Sequence, residues 1–258
     1  MILSLIKHRS YIWRTAWSDV RNRYAGAGLG ALWNLLQPLA MILVFTVIFT
    51  KVMPQAAKLG APYPIYLCSA LLPWAAFSEC LNRGTHSFIA NAPYLRKLPI
   101  PEQVFVAQSA LSTAIGLTLS FAALIVVALV LRHPPGWQWL MLPIPLALLI
   151  GMGFGLGLML GTLNAFIRDV GQAVPIILQV WFWLYPIVYH PSTLPTGLAR
   201  AIPFNPIYPY MESIRSLFIH HQMPPPILWL GMVAWTSATC ILGYVVLRRL
   251  RPELRDVI

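Results

Sequence analysis

The sequence predicts an all-α integral membrane protein with six transmembrane helices. An N-terminal amphipathic interface helix precedes them, and a re-entrant outer helical hairpin comes before the last span. Three observations lead there. Of 258 residues, 58% are hydrophobic and only 10% charged, where a soluble domain carries about 25% charged residues; mean hydropathy is +0.69. The apolar residues form long unbroken runs, and the basic residues divide unevenly among the connections. Lipid cannot hydrogen-bond exposed amides, so spans are helices or closed barrels. Long runs, rather than short alternating strands, select helices.

The first segment is basic and periodic. Lys7, Arg9, Arg14, Arg21 and Arg23 interrupt any apolar stretch of a secretory signal, so none is expected. Ile2, Leu5, Ile6, Ile12, Trp13, Ala16, Trp17, Val20 and Tyr24 recur at three- and four-residue steps, with Arg9 breaking the stripe. A basic amphipathic helix with Trp on its apolar side lies in the membrane surface. Residues 1–28 form this segment of a single transmembrane domain covering 1–258.

Candidate spans follow at 30–50, 62–81, 104–131, 137–163, 170–190 and 227–247. Each approaches the roughly 20 residues that a hydrocarbon core of about 30 Å requires. The third is longer than needed and tilts or projects into water. No charged side chain occurs from His133 to Ile167 or from Val170 to Ala199, so Arg168 and Asp169 mark a tight turn between two spans. With a cytoplasmic N-terminus, 13 of the 18 Lys and Arg residues fall inside, as the positive-inside rule favours. Six spans require the same arrangement, with both termini cytoplasmic. The net charge of +11 is explained by this asymmetry, and no nucleic-acid partner is expected.

Residues 191–226 differ from the rest, with eight prolines. Two apolar pieces, 194–202 and 207–220, are each too short to span, and "FNPIYPY" separates them because each Pro disfavours helix in the residue before it. The expectation is two short helices dipping back from the outer surface, with Glu212 and Arg215 spaced to pair on one helix face. An ordinary extracellular loop is the alternative.

The remaining motifs argue against chemistry within the chain. None of the four lysines follows a glycine, so no phosphate-binding Gly-x-x-x-x-Gly-Lys loop is expected here. The run "GMGFGLGLMLG" (151–161) lies within a span and places Gly153, Gly157 and Gly161 at four-residue steps, a pattern that brings helices close together. The carboxylates Asp19, Glu79, Glu102, Asp169, Glu212, Glu253 and Asp256 contain no Asp-x-Asp pair or zinc spacing. No metal site is expected, and the six histidines are read as structural or interfacial. Cys68, Cys80 and Cys240 lie in apolar runs and are read as reduced packing residues.

Aromatic side chains are the candidates for substrate contact. Trp181, Tyr185 and Tyr189 stand four apart on the fifth span, and Trp33, Gln37, Met41, Phe45 and Phe49 do so on the first. Flat apolar rings make weak, non-directional contacts, and conduction needs binding weak enough to release. Such rings also mark the lipid interface or pack helices. Trp181 and Phe45, farther from the span ends, fit the interface account least.

Four stretches together resemble the permeases of type-2 ABC exporters that carry polysaccharide. They are "RYAGAGLGALWNLLQPL" (23–39), "YLRKLPIPEQVF" (94–105), "FIRDVGQAVPIILQVWFWLYPIVY" (166–189) and "FNPIYPYMESIRSLF" (204–218). The Leu-Gly-x-x-Trp step looks closest to the O-antigen and teichoic-acid branches, with capsule exporters the other relatives. "AGAG" at 25–28 departs from the basic or hydroxyl residue found there in many of them. The resemblance implies a half-transporter in a bacterial inner membrane. Two copies form the pore for a lipid-linked polysaccharide, and two separate ATPase subunits, which hold ATP and Mg, drive it. It implies no cofactor in this chain and no enzyme activity of its own.

Further roles follow from the resemblance. The 82–103 segment, with Arg96 and Lys97, carries a coupling helix; Arg168 and Asp169 form a second ATPase contact; and the 191–226 hairpin, with Asn205, Glu212 and Arg215, gates the outer end. Arg21 and Arg23 lie where a pyrophosphate headgroup arrives, though positive-inside topology also explains them. Competing readings are a type-2 exporter of a drug or lipid, an ion-coupled secondary transporter, and a lipid-linked glycosyltransferase. Only Glu79 lies within a predicted span, near its cytoplasmic end, which counts against ion coupling.

Overall fold

The computed structural model describes residues 2–23, 62–97, 99–189 and 196–257, with single positions between 36 and 47. Among them all regular structure is helical: α1 Ile2–Lys7, α2 Arg9–Asn22, α3 Tyr63–Ala90, α4 Ala92–Lys97, α5 Gln103–Val130, α6 Pro143–Phe166, α7 Asp169–Trp183, α8 Thr196–Ala201, α9 Tyr208–Phe218 and α10 Pro226–Val257. A 3₁₀ helix, Trp137–Met141, leads into α6, and another, Ile202–Phe204, follows α8. Among the described residues, four segments are long and apolar enough to cross a membrane: Pro64–Ala90, Gln103–Val130, Trp137–Phe166 and Pro226–Leu254. The first predicted span, 30–50, lies almost entirely outside the described residues.

Glycine fixes the centre of the bundle. A Cβ on Gly157 would lie 3.1 Å from the Gly84 Cα, and one on Gly161 would lie 2.6 Å from the Gly84 carbonyl oxygen. On the other side of α6, a Cβ on Gly155 would lie 2.5 Å from the Cys240 amide nitrogen. Thus α6 meets α3 and α10 backbone to backbone, which is the packing role expected of the 151–161 run. The register of these contacts makes α6 parallel to both neighbours. Of the apolar window of α3, 83% is buried, against 22% for α10, so α3 is central and α10 forms an outer wall.

Several boundaries move relative to the sequence reading. α3 continues to Ala90, nine residues past the predicted end at 81. Hydropathy reads Asn82–Ser87 as a loop, yet those side chains bond back one turn: Asn82 to the Ser78 carbonyl (3.0 Å), Thr85 to that of Leu81 (2.8 Å) and the His86 ring to that of Asn82 (2.9 Å). The connection within 82–103 therefore shrinks to α4 and its flanks. α10 likewise runs well beyond 247.

The predicted span 170–190 becomes α7, of 15 residues, a length of about 22 Å. It ends because Pro186 bars helical geometry at Tyr185. Trp181, Tyr185 and Tyr189 consequently do not share one helix face. The pieces at 194–202 and 207–220 contain the short helices α8 and α9. α9 is enclosed: Tyr210, Met211, Ile214, Leu217 and Phe218 are fully buried.

The N-terminal helix is broken at His8 into α1 and α2. α2 buries Ile12, Ala16 and Val20 and packs along the first half of α5. Trp13 and Trp17 project outward, stacked at 6.4 Å between ring centroids. Residues 24–28 of the predicted interface segment lie outside the described residues. Cys68, Cys80 and Cys240 are all free thiols.

Candidate functional site

At one end of the bundle, α2, α3 and α5 meet around five polar side chains. Arg83 pairs with Asp19 of α2 and with Glu79 one turn earlier (3.3 Å). Arg23 reaches the same Glu79 oxygen at 2.8 Å. The Ser112 hydroxyl of α5 donates to Asp19 and lies 3.4 Å from both guanidinium groups. Partial burial opposes ionisation of Asp19, but the Ser112 hydrogen bond and the Arg83 guanidinium outweigh it and hold the carboxyl below its ordinary 3.8. Two charges of each sign thus clasp the N-terminal helix to the bundle. The two arginines grouped in the sequence reading separate here: Arg23 is engaged with Glu79, whereas Arg21 is exposed. A second pair, Arg251 of α10 on the buried Glu102 at 3.0 Å, closes the same end.

Also at this end, the α6–α7 turn presents Ile167, Arg168 and Asp169 to solvent. Asn164 builds the turn. Its Oδ1 accepts from the Gly171 amide (2.8 Å), and its Nδ2 donates to the Thr85 carbonyl of α3 (3.0 Å). One buried amide therefore gives the Gly171 amide, which also reaches the Arg168 carbonyl at 3.2 Å, a shorter partner in the first turn of α7 and locks that turn to α3. α4 lies in the chain path between α3 and α5. Lys97 and Tyr94 are exposed and Leu95 is anchored in the core. Arg96 lies on α4.

The opposite end carries α8, α9 and most of the aromatics. Trp181 sits edge-on to Phe77 (5.6 Å) and Trp74 (5.9 Å), and its Nε1 donates to Asn205 Oδ1 at 2.9 Å. The same Asn205 oxygen accepts from the Ile207 amide (3.1 Å), which shapes the approach to α9. Tyr185 is 1% exposed, while Tyr189 is half-buried and donates to the Trp183 carbonyl at 2.6 Å. A cavity of about 380 Å³ opens between Trp181, Trp183 and Tyr189 on one side and Ile202, Phe204 and Asn205 on the other.

Arg215 does not pair with Glu212, contrary to the expectation from their spacing. It is buried, donates to the Ile187 carbonyl at 3.1 Å and lies 4.0 Å over the Tyr66 ring. Its longer reach goes inward to α3 and the post-α7 turn. Glu212 faces a separate cleft of about 530 Å³ between α9 and the start of α10.

Trp33, Gln37, Phe45 and Phe49 lie outside the described residues. The sequence reading missed Ser112, Asn164 and the pairing role of Glu79. Only Glu79 carried a signal, as an acid inside a span with Arg83 one turn away. Ser112 and Asn164 acquire their meaning from partners 93 and 79 residues distant.

A multi-pass helical bundle with a paired-charge cluster at one end, short helices and an aromatic-lined cavity at the other and a tied turn between helices has the architecture of a membrane-embedded subunit. The chain belongs to the ABC-2 type transporter family, whose pattern matches residues 10–219. It is 26% identical to the O-antigen export system permease protein RfbA of Myxococcus xanthus, over 91% of this chain and 90% of that one. It is 28% identical to an O-antigen export system permease protein RfbA of Klebsiella pneumoniae, over 78% and 77% of the two chains. The polysialic acid transport protein KpsM of Escherichia coli is 22% identical over 91% of each.

Proposed function

We propose that this chain is the pore-forming permease half of an ATP-driven exporter of lipid-linked polysaccharide, of O-antigen type, in a bacterial inner membrane. The near full-length similarity to O-antigen export permeases carries the reading. Two copies form the pore, with six spans each and both termini cytoplasmic, and two ATPase subunits supply ATP and Mg chemistry. The family itself speaks for a separate ATPase. The end bearing α4 and the Arg168–Asp169 turn faces that ATPase. Charge at Arg96, Lys97, Arg168 and Asp169 takes the docking contacts, and Asn164 holds the turn so that a push on it reaches α3 and α7 together.

The polymer runs past Trp33, Gln37, Phe45 and Phe49 of the first span and leaves by the Trp181–Tyr189 cavity. α8 and α9, hinged at Asn205 and held by Arg215, form the re-entrant outer gate, with Glu212 at its edge. Tyr185 supports this wall from beneath. Arg21, exposed on α2, receives the pyrophosphate of the lipid carrier, with Arg23 behind it in the charge cluster.

Co-reconstitution with the ATPase and an ATP-dependent assay of glycan transport tests the reading. Export of lipid-linked glycan supports it, whereas transport of a small drug or lipid with no glycan movement refutes it. Lys97→Glu or Arg168→Glu is expected to lower ATP-driven export at least about ten-fold, the cost of some 1.4 kcal/mol of lost coupling. Trp181→Ala is expected to impair export while leaving the ATPase bound. Full export in these variants refutes the residue assignments.

A further inference from the structure

Between the second half of α5 and the first two turns of α6 runs an apolar cleft of about 400 Å³. Ala114, Thr118 and Ala122 form one wall, Leu146 and Ile150 the other. The Thr118 hydroxyl donates to the Ala114 carbonyl of its own helix at 2.9 Å, so this wall presents no unmet hydrogen bond. Pockets of roughly 300–1,000 Å³ suit a small ligand.

Depth and charge identify the occupant. Both walls belong to membrane-crossing segments. The stretch of α5 from 114 to 125 is about 17 Å long, well within the hydrocarbon. Above it, the exposed Trp137 and Leu140 mark the level of the membrane interface, where Trp concentrates. At that depth a hydrocarbon chain is the occupant that suits an apolar lining. Arg132 stands exposed in the turn that closes the end of α5, beyond the top of the cleft by the roughly 8 Å rise of the five helical residues from Ile125 to Val130. No acidic side chain occurs from Gln103 to Arg168, so this connection offers a phosphate a cation and no competing anion.

We propose that the cleft binds one acyl chain of a glycerophospholipid from the leaflet at that end, with the lipid phosphate on Arg132. The floor of the cleft gives the bound chain a structural consequence. Phe121 and Trp139 back directly onto Phe218, the last residue of α9, at 5.3 and 4.7 Å between ring centroids. The Trp139 indole also donates to the Phe218 carbonyl at 3.1 Å. A seated acyl chain therefore buttresses the end of α9 from the lipid side.

The test uses the full-length protein in nanodiscs containing phosphatidylglycerol with a mid-chain diazirine, beside a second arm with a diazirine-bearing polyprenyl phosphate. The phosphatidylglycerol is expected to label residues 114–125 and 142–150 at least about five-fold above the exposed Leu230 and Ile241 of α10, a preference near 1 kcal/mol. Ala122→Phe, which fills the cleft, and Arg132→Gln, an exposed change that leaves the packing intact, are each expected to cut that labelling several-fold. The proposal is overturned if cleft and α10 label equally, if Arg132→Gln changes nothing, if polyprenyl phosphate labels the cleft in preference, or if a second protein copy crosslinks there instead of lipid.

Discussion

Asp19 and Arg83 show how single side chains seat the N-terminal helix. Both are partly exposed, so solvent screens the pair, and a double-mutant cycle with Asp19→Asn and Arg83→Gln is expected to return a coupling of about 1 kcal/mol in thermal unfolding. The pH dependence has a definite sign. The folded Asp19 pKa is depressed below 3.8, so its contribution is complete above the unfolded value and disappears as pH falls through the folded one. Amide exchange of α2 is therefore expected to be independent of this group between about pH 5 and 8 and to quicken in acid below the ordinary carboxylate range, and Asp19→Asn is expected to abolish that acid-induced step. Arg23 shares the cluster, which is why a basic residue at the membrane surface need not be an open binding group.

Among the elements, the tied α6–α7 turn makes the clearest prediction. Asn164→Ala removes both the amide that caps α7 and the donor to Thr85, and is expected to cost about 1–2 kcal/mol of stability; faster amide exchange at 169–172 with unchanged exchange in α10 locates the effect. This turn also shows what a sequence can disclose. The Arg168–Asp169 dipeptide announced itself because it interrupts two uncharged stretches, and the glycine steps at 153, 157 and 161 announced close packing. Asn164 gave no sign, since an amide near a span end is unremarkable until Thr85 is brought beside it. The helical character of 82–90 was hidden for a related reason: its polar side chains satisfy themselves along the helix, which hydropathy does not register. Tyr185 and Tyr189 looked like the continuation of an aromatic stripe, but Pro186 ends the helix and sends one ring inward and the other toward the surface.

For the whole molecule, the bundle is organised around α6 and its two backbone contacts. Gly155→Ala forces a Cβ against the Cys240 amide and is expected to lower stability by about 1–3 kcal/mol. Gly116 of α5 has open space around it, so Gly116→Ala is expected to stabilise by about 0.5–1 kcal/mol through helix propensity alone; opposite shifts in the unfolding midpoint check the pair. The first predicted span and its aromatics fall outside the described residues, whereas the four described spans agree with the runs of apolar sequence that announced them. The glycine contacts have a mechanical implication. Helices separated by side chains can slip by exchanging rotamers, but helices whose main chains touch have nothing to exchange. α3, α6 and α10 are therefore expected to move as one body, with little slippage between them at Gly84, Gly155 and Gly157.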